Sequence, residues 1–357
     1  MSAGDQVYRI GVLVPFRGTG GIFGPSCVAA SEQARNELND ATGVDGRRVE
    51  LTFIDAGQGI DAIRSEVSRL LLNGAIDALT GWHISSIRKE LIPLVRDRIP
   101  YVYTSLSEGD RRIPGVFMIG ENPEQQIFPA LTWMRKELGH RRWYVVGARY
   151  VWPILSLQKT AQAANELDLE IVGSTFVAMG DGGNPRLIRD VRRSGCDAVL
   201  ILLVGQDAVE FNRNFADADL HHLMARYSPL MEENMLLASG ESSTIDLYSS
   251  ASYFRTLTDP AALDFLGRYV ATHGVSAPAL NNMAQSCYQG IMTLAELAAR
   301  SRSLKLRDFE RVINDLEVDG PRGRMTFRDN QAIQPVHLAR ADGLEFDVLD
   351  RLQSQFR

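Results

Sequence analysis

Residues 77–95 read DALTGWHISSIRKELIPLV. The stretch opens as the apolar strand Ala75–Gly81 and closes as an amphipathic helix, expected over Ser86–Arg96. Trp82, His83, Ser85 and Ser86 crowd the point where strand becomes helix. Two explanations compete. Ser85 or Ser86 caps the helix by accepting hydrogen bonds from its first free amides. Alternatively, these groups and the helix N-terminus face a ligand.

The same unit recurs on both sides. YRIGVLV (8–14) leads into a helix over Gly24–Asn39 with Pro25 in its first turn, and RVELTFID (48–55) into a helix over Asp61–Asn73. IPYVYTS and GVFMIG complete this section. The pattern then restarts. Helices over Pro123–Leu138, Trp152–Leu167, Pro185–Ser194 and Asp207–Ala218 alternate with the strands RWYVVGA, EIVGSTFVA and DAVLILLV. The weaker strand HLMAR leads to a helix over Leu230–Met235. Repeated β-α units with short connections mean parallel sheets covered by helices. Beyond Ser249, helices are expected over Pro260–His273, Asn282–Ser301 and Asp308–Leu316, followed by three short strands, GRMTFRD, PVHLARA and EFDVLD. The late helices have no sheet of their own and most simply cover the first one, which requires the chain to return. The expectation is α/β: two Rossmann-like lobes with parallel sheets, joined by several crossings. Their cleft would lie between the carboxyl edges of the strands, where open parallel sheets bind ligands.

A length of 357 residues favours two domains over one. Apolar residues make up 45% and charged residues 23%, which leaves ample material for cores. A net charge of -6 argues against a broad nucleic-acid footprint. The pairs Arg141-Arg142 and Arg192-Arg193 fit solvated helix ends or loops. Cys27, Cys196 and Cys287 are dispersed and odd in number, so free thiols in a reducing compartment are the simpler reading. MSAGDQVYRIGVLV carries no basic n-region or cleavage site, and no run approaches the roughly 18 apolar residues of a membrane helix. A cytoplasmic location is expected from this, or a periplasmic one if a leader has been removed.

Searches for catalytic and cofactor motifs fail. Gly18-Thr19-Gly20-Gly21-Ile22-Phe23 puts Phe23 where GxGxxG needs glycine, Asp55 ends the second strand too late for a ribose contact, and no GK[ST] exists. The glycines instead allow close passage to a small ligand. GxSxG and HExxH are absent, and His221-His222 cannot form an i,i+4 metal pair. Glu232-Glu233 reads as a solvated helix face. No catalysis, cofactor or metal is expected.

Polar and aromatic residues cluster instead at strand ends: Trp82 to Ser86, Tyr103-Thr104-Ser105, Tyr150-Val151-Trp152-Pro153 and Tyr227-Ser228. Each alone is a capped turn with a core aromatic. Together they offer apolar walls and hydroxyls for a small solute.

At these residues the sequence resembles the type I periplasmic-binding-protein (Venus-flytrap) fold. Within it, the likeness runs closest to the amide-sensing negative regulator of the aliphatic amidase operon and to urea, short-chain-amide and branched-chain amino-acid binding proteins. VDGRRVEL, GWHISSIRKELIPLV, YTSLSEG, VVGARYVWP and DGPRGRMTF carry it. The resemblance implies three hinge crossings, near Gly120–Glu124, Ser249–Phe254 and Arg328–Ile333, with lobe I as 1–121 and 251–329 and lobe II as 122–250 and 330–357. It implies ligand-binding roles for Ser85, Tyr103, Ser105, Tyr150 and Trp152, with His83 standing where the sensor has tyrosine; Tyr227 joins them from the strand-end set. Tyr150→Ala and Trp152→Ala are expected to weaken binding with little loss of stability. The expected function is non-catalytic binding of a short amide, urea-like or amino-acid-like solute, with lobe closure signalling to a regulatory protein. The alternatives are the substrate-binding component of an ABC importer, with a permease as partner, and a cleft enzyme such as an amide hydrolase. A homodimer is allowed; direct nucleic-acid contact and a membrane span are not expected.

Overall fold

The computed structural model describes residues 7–109 and 112–353; residues 1–6 of the stretch read for a leader lie outside the described residues. Along the chain, β1 (Val7–Val14), α1 (Gly24–Asp40), β2 (Arg48–Asp55), α2 (Ile60–Leu72), β3 (Ala78–Thr80), α3 (Ser85–Val95), β4 (Tyr101–Tyr103) and β5 (Val116–Met118) come first. The second series is α4 (Ile127–Leu138), β6 (Arg142–Ala148), α5 (Val151–Ala163), β7 (Glu170–Val177), α6 (Pro185–Ser194), β8 (Ala198–Leu202), α7 (Gln206–Asp217), β9 (Ala225–Tyr227), α8 (Glu233–Ser239) and β10 (Leu247–Ala251). Then follow α9 (Pro260–His273), α10 (Asn282–Ser301), α11 (Leu306–Val312), β11 (Glu317–Gly320), β12 (Gly323–Arg328), β13 (Gln331–Ile333), β14 (Val336–Asp342) and β15 (Glu345–Leu352).

These elements form two compact units. The first takes the chain up to Gly18, Phe23–Gly120 and Thr258–Gln334; the second takes Thr19–Ile22, Glu121–Leu257 and Pro335 onward. Two of the passages fall a few residues after the expected ones, for local reasons. Phe254 packs its ring 4.9 Å from Phe346, keeping the chain after β10 with the second unit. Gln331 pairs with Met118 of β5, keeping β13 with the first.

In the first unit the strand order is β11-β12-β13-β5-β4-β3-β1-β2. β1 pairs in parallel with β2 from Val7↔Arg48 to Val14↔Asp55, and with β3 on its other side. β1 is covered on both faces, so Ile10, Val12, Leu13 and Val14 are fully buried and the strand reads as a continuous apolar run. The second unit has the order β15-β14-β10-β9-β8-β6-β7, and its interior strand β8 (AVLIL) is buried throughout.

The sheets are mixed rather than purely parallel. β12 runs antiparallel to β11 and β13, and β14 antiparallel to β10 and β15. Two-residue links dictate this for β11–β12, β12–β13 and β14–β15, because so short a link can only return a strand antiparallel. Between β12 and β13 the link is Asp329-Asn330, both at positive φ (50° and 65°), the backbone of a tight hairpin turn.

Candidate functional site

The carboxyl edge of the first unit is built from the turn after β3 and the irregular stretch after β4. Gly81 adopts φ +116°, and a Cβ there would sit 2.1 Å from the Leu13 carbonyl oxygen, so only glycine makes this exit from β3. Trp82 then packs edge-on against Phe23 at 4.6 Å.

Helix α3 starts without a side-chain cap: its N-cap is Ile84, and neither Ser85 nor Ser86 accepts from a helix amide through its side chain. The capping explanation for these serines therefore does not hold. Ser85 Oγ instead lies 3.4 Å from the Tyr103 hydroxyl. That hydroxyl has one proton, and its shortest acceptor is the His83 carbonyl at 3.0 Å, so the serine is the donor between the two. Ser105 Oγ accepts from the His83 amide at 2.9 Å.

The His83 ring turns inward. Its Nε2 is 2.7 Å from the Tyr101 hydroxyl and its Nδ1 3.2 Å from the Ile84 carbonyl. A carbonyl only accepts, so the proton belongs on Nδ1 and Nε2 accepts from Tyr101. Burial, aided by the nearby Arg88 charge, pushes this imidazole down to about 3, so it is neutral at ordinary pH. Burial pushes the Tyr103 phenol up to about 12. His83, Ser85, Tyr103 and Ser105 thus form one hydrogen-bonded cluster of uncharged groups. Beneath it lies a pair that the sequence reading missed. Arg88 and Glu108 are both buried, with Nη2 2.5 Å from Oε2 and the guanidinium 4.8 Å from the Tyr103 ring centroid.

In the second unit, Tyr150 is the half-exposed N-cap residue of α5, in extended backbone at φ -147° and ψ -176°. Trp152 lies in the first turn, buried, and its indole Nε1 has no hydrogen-bond partner among the described residues. Tyr227, ending β9, is buried deeper; its hydroxyl lies 2.6 Å from Ser250 Oγ and 3.3 Å from the Gln126 carbonyl. The next residue, Ser228, is buried with its Oγ unpartnered among the described residues.

Glu232 and Glu233 are not a solvated helix face. Both are buried. Glu232 caps α8 through the amides of Asn234 and Met235, and Glu233 accepts from the Arg255 amide at 2.8 Å. Burial, together with the neighbouring Glu233, raises Glu232 to about 8; burial raises Glu233 to about 7. Adjacent acids look alike in a sequence whether they cap a buried turn or face water.

Asp55, weighed above as a ribose contact, is committed elsewhere. Its Oδ1 accepts from Phe16 at 3.0 Å and from Gly57 at 2.8 Å, and its Oδ2 pairs with Arg17 at 2.6 Å. Cys27, Cys196 and Cys287 are buried thiols. No group of three metal-binding side chains occurs among the described residues, and no described helix is long and apolar enough to cross a membrane.

A family model described as periplasmic binding protein matches residues 7–345. An ABC transporter solute-binding protein from R. palustris, solved with benzoate, superposes with a TM-score of 0.85 at 16% identity, covering 97% of this chain and 96% of that one. A periplasmic binding protein from Burkholderia mallei gives 0.88 at 15%, covering 99% and 96%. A leucine binding protein from Thermotoga maritima gives 0.84 at 17%, covering 97% and 98%. At these identities the likeness is one of fold.

Proposed function

We propose, since this chain belongs to the periplasmic binding protein family, that it captures a small polar solute as the binding component of an ABC importer. The observation that carries this reading is the family match across nearly the whole chain, supported by the likeness to an ABC transporter solute-binding protein and a leucine binding protein. The residues alone favour an amide sensor over an importer component; the family match and the neighbouring structures support the importer better.

The solute we propose is a short amide, a urea-like molecule or an amino acid, met by strand-end residues. Ser85 and Ser105 offer hydroxyls, and Tyr150 and Trp152 offer aromatic surface and an indole N–H. Neutral His83 adds no charge to the edge, which suits an uncharged polar group better than a strong anion. We infer no turnover. This reading puts the working protein in the periplasm, with a permease as partner.

The second reading, an amide sensor acting on a regulatory protein in the cytoplasm, rests on GWHISSIRKELIPLV and the other quoted motifs. A secretory or lipoprotein leader in the native reading frame decides for the importer; expression beside a regulator with no leader decides for the sensor. A thermal-shift panel of acetamide, urea, leucine and benzoate tests solute capture itself, because a ligand that binds only the folded chain raises its melting point by mass action. A flat panel would speak against this solute class.

A further inference from the structure

We propose that the buried Arg88–Glu108 pair is the positioning element of the first unit's carboxyl edge, setting the His83 peptide and Ser105 without being needed for the unit to fold. The inference rests on the solute-binding reading only for its purpose; the geometry stands without it.

Residues 104–108 have no strand pairing. Their start is anchored by β4, where the Ile119 amide donates to the Tyr103 carbonyl at 2.9 Å. Their far end is anchored by Glu108, whose carboxylate meets Arg88 of α3 at 2.5 Å. Arg88 also donates to Met118 Sδ of β5 at 3.2 Å and lies over Tyr103 of β4. One guanidinium therefore ties its own helix, which starts at the edge, to two strands that end there and to the loop that carries Ser105.

Both polar groups of the His83 peptide end on residues held this way. Its amide donates to Ser105 Oγ, and its carbonyl accepts from the Tyr103 hydroxyl. Moving Glu108 moves Ser105, and moving Tyr103 releases the carbonyl. Burying two charges is a poor way to gain stability, since apolar residues of similar volume often serve as well or better. An ion pair does fix a direction that apolar packing leaves loose, and direction is what a solute-facing edge requires.

The test replaces both partners, Arg88→Met with Glu108→Leu, so that no orphan charge remains, and uses Glu108→Gln as the milder variant. Amide exchange is followed by mass spectrometry over peptides spanning 82–108, alongside melting and titration of whichever panel compound shifts the parent. The expected result is a melting point close to the parent's, exchange at His83 faster by about tenfold or more, and a similar loss of affinity. Glu108→Gln should show a smaller acceleration confined to the same peptides. Exchange at His83 that stays like the parent's in the double variant overturns the proposal. So does a double variant that fails to fold, or exchange that rises uniformly through the first unit, since the pair would then be holding the fold. If no panel compound shifts the parent, the solute reading fails while the exchange measurement still decides the positioning role.

Discussion

The amide of His83 and the hydroxyl of Ser105 are 22 positions apart in the chain and 2.9 Å apart in space. That bond joins the turn after β3 to the loop after β4, and the account of the first unit's edge depends on it. Ser105→Ala leaves a buried amide without its acceptor, which should cost about 1–3 kcal/mol in urea denaturation and weaken solute binding. Ser105→Thr, which keeps the hydroxyl, should recover most of both.

The charge states of two buried groups give the protein a stability profile with two limbs. His83 has an ordinary value of 6.5 and is held at about 3 when folded. Between those values the unfolded chain carries a proton that the folded one lacks, so stability falls as pH drops below about 6.5. Glu232 is raised from 4.5 to about 8. Between those values the folded chain holds a proton that the unfolded one has lost, so stability falls as pH rises through that window and levels off above it. Melting curves from acid to mildly alkaline pH should show His83→Gln flattening the acid limb and Glu232→Gln reducing the alkaline one, with the remainder coming from Glu233, raised from 4.5 to about 7. Variants that keep the parent's slopes would mean other groups set the profile.

Tyr150 and Trp152 should separate binding from folding unequally. Tyr150 is half-exposed, so Tyr150→Ala should change stability by no more than about 0.5 kcal/mol while weakening binding. Trp152 is 2% exposed, and Trp152→Ala should cost about 3–5 kcal/mol, against the expectation that both changes would be mild. Trp152→Phe is the informative change, because it removes the indole N–H and keeps most of the ring surface. Calorimetric titration at matched fold content checks both residues; parent-like affinity in Tyr150→Ala and Trp152→Phe would move the site elsewhere.

Two glycine substitutions should have opposite signs. A Cβ at Gly120 would lie 2.0 Å from the Ser105 carbonyl oxygen, a backbone atom that cannot yield cheaply, so Gly120→Ala should lower the melting point and disturb the same loop. Gly267 lies inside α9 with nothing within 4 Å of the added carbon, so Gly267→Ala should stabilise by about 0.5–1 kcal/mol.

Much of the fold was legible because strands buried on two faces must be continuously apolar and their covering helices amphipathic. YRIGVLV and DAVLILLV announce themselves in this way. The antiparallel edges were harder: the two-residue turn between PVHLARA and EFDVLD pairs them with each other, but nothing local assigns PVHLARA to β10. Residues at strand ends could be named from the sequence, but not their bonding. Nothing in GWHISSIRKE says that the His83 ring folds inward to Tyr101 rather than outward. Arg88 and Glu108 were invisible for a related reason. A charged residue on an amphipathic helix normally faces water, and its burial is decided by a carboxylate 20 positions away.

The most direct test of the central claim is titration calorimetry of the purified chain with the best compound from the thermal-shift panel, followed by recovery of that compound. Reversible one-to-one binding with the compound returned chemically unchanged is the predicted result. Steady conversion of the compound, or no saturable heat with any amide, urea, amino acid or benzoate, would contradict the account.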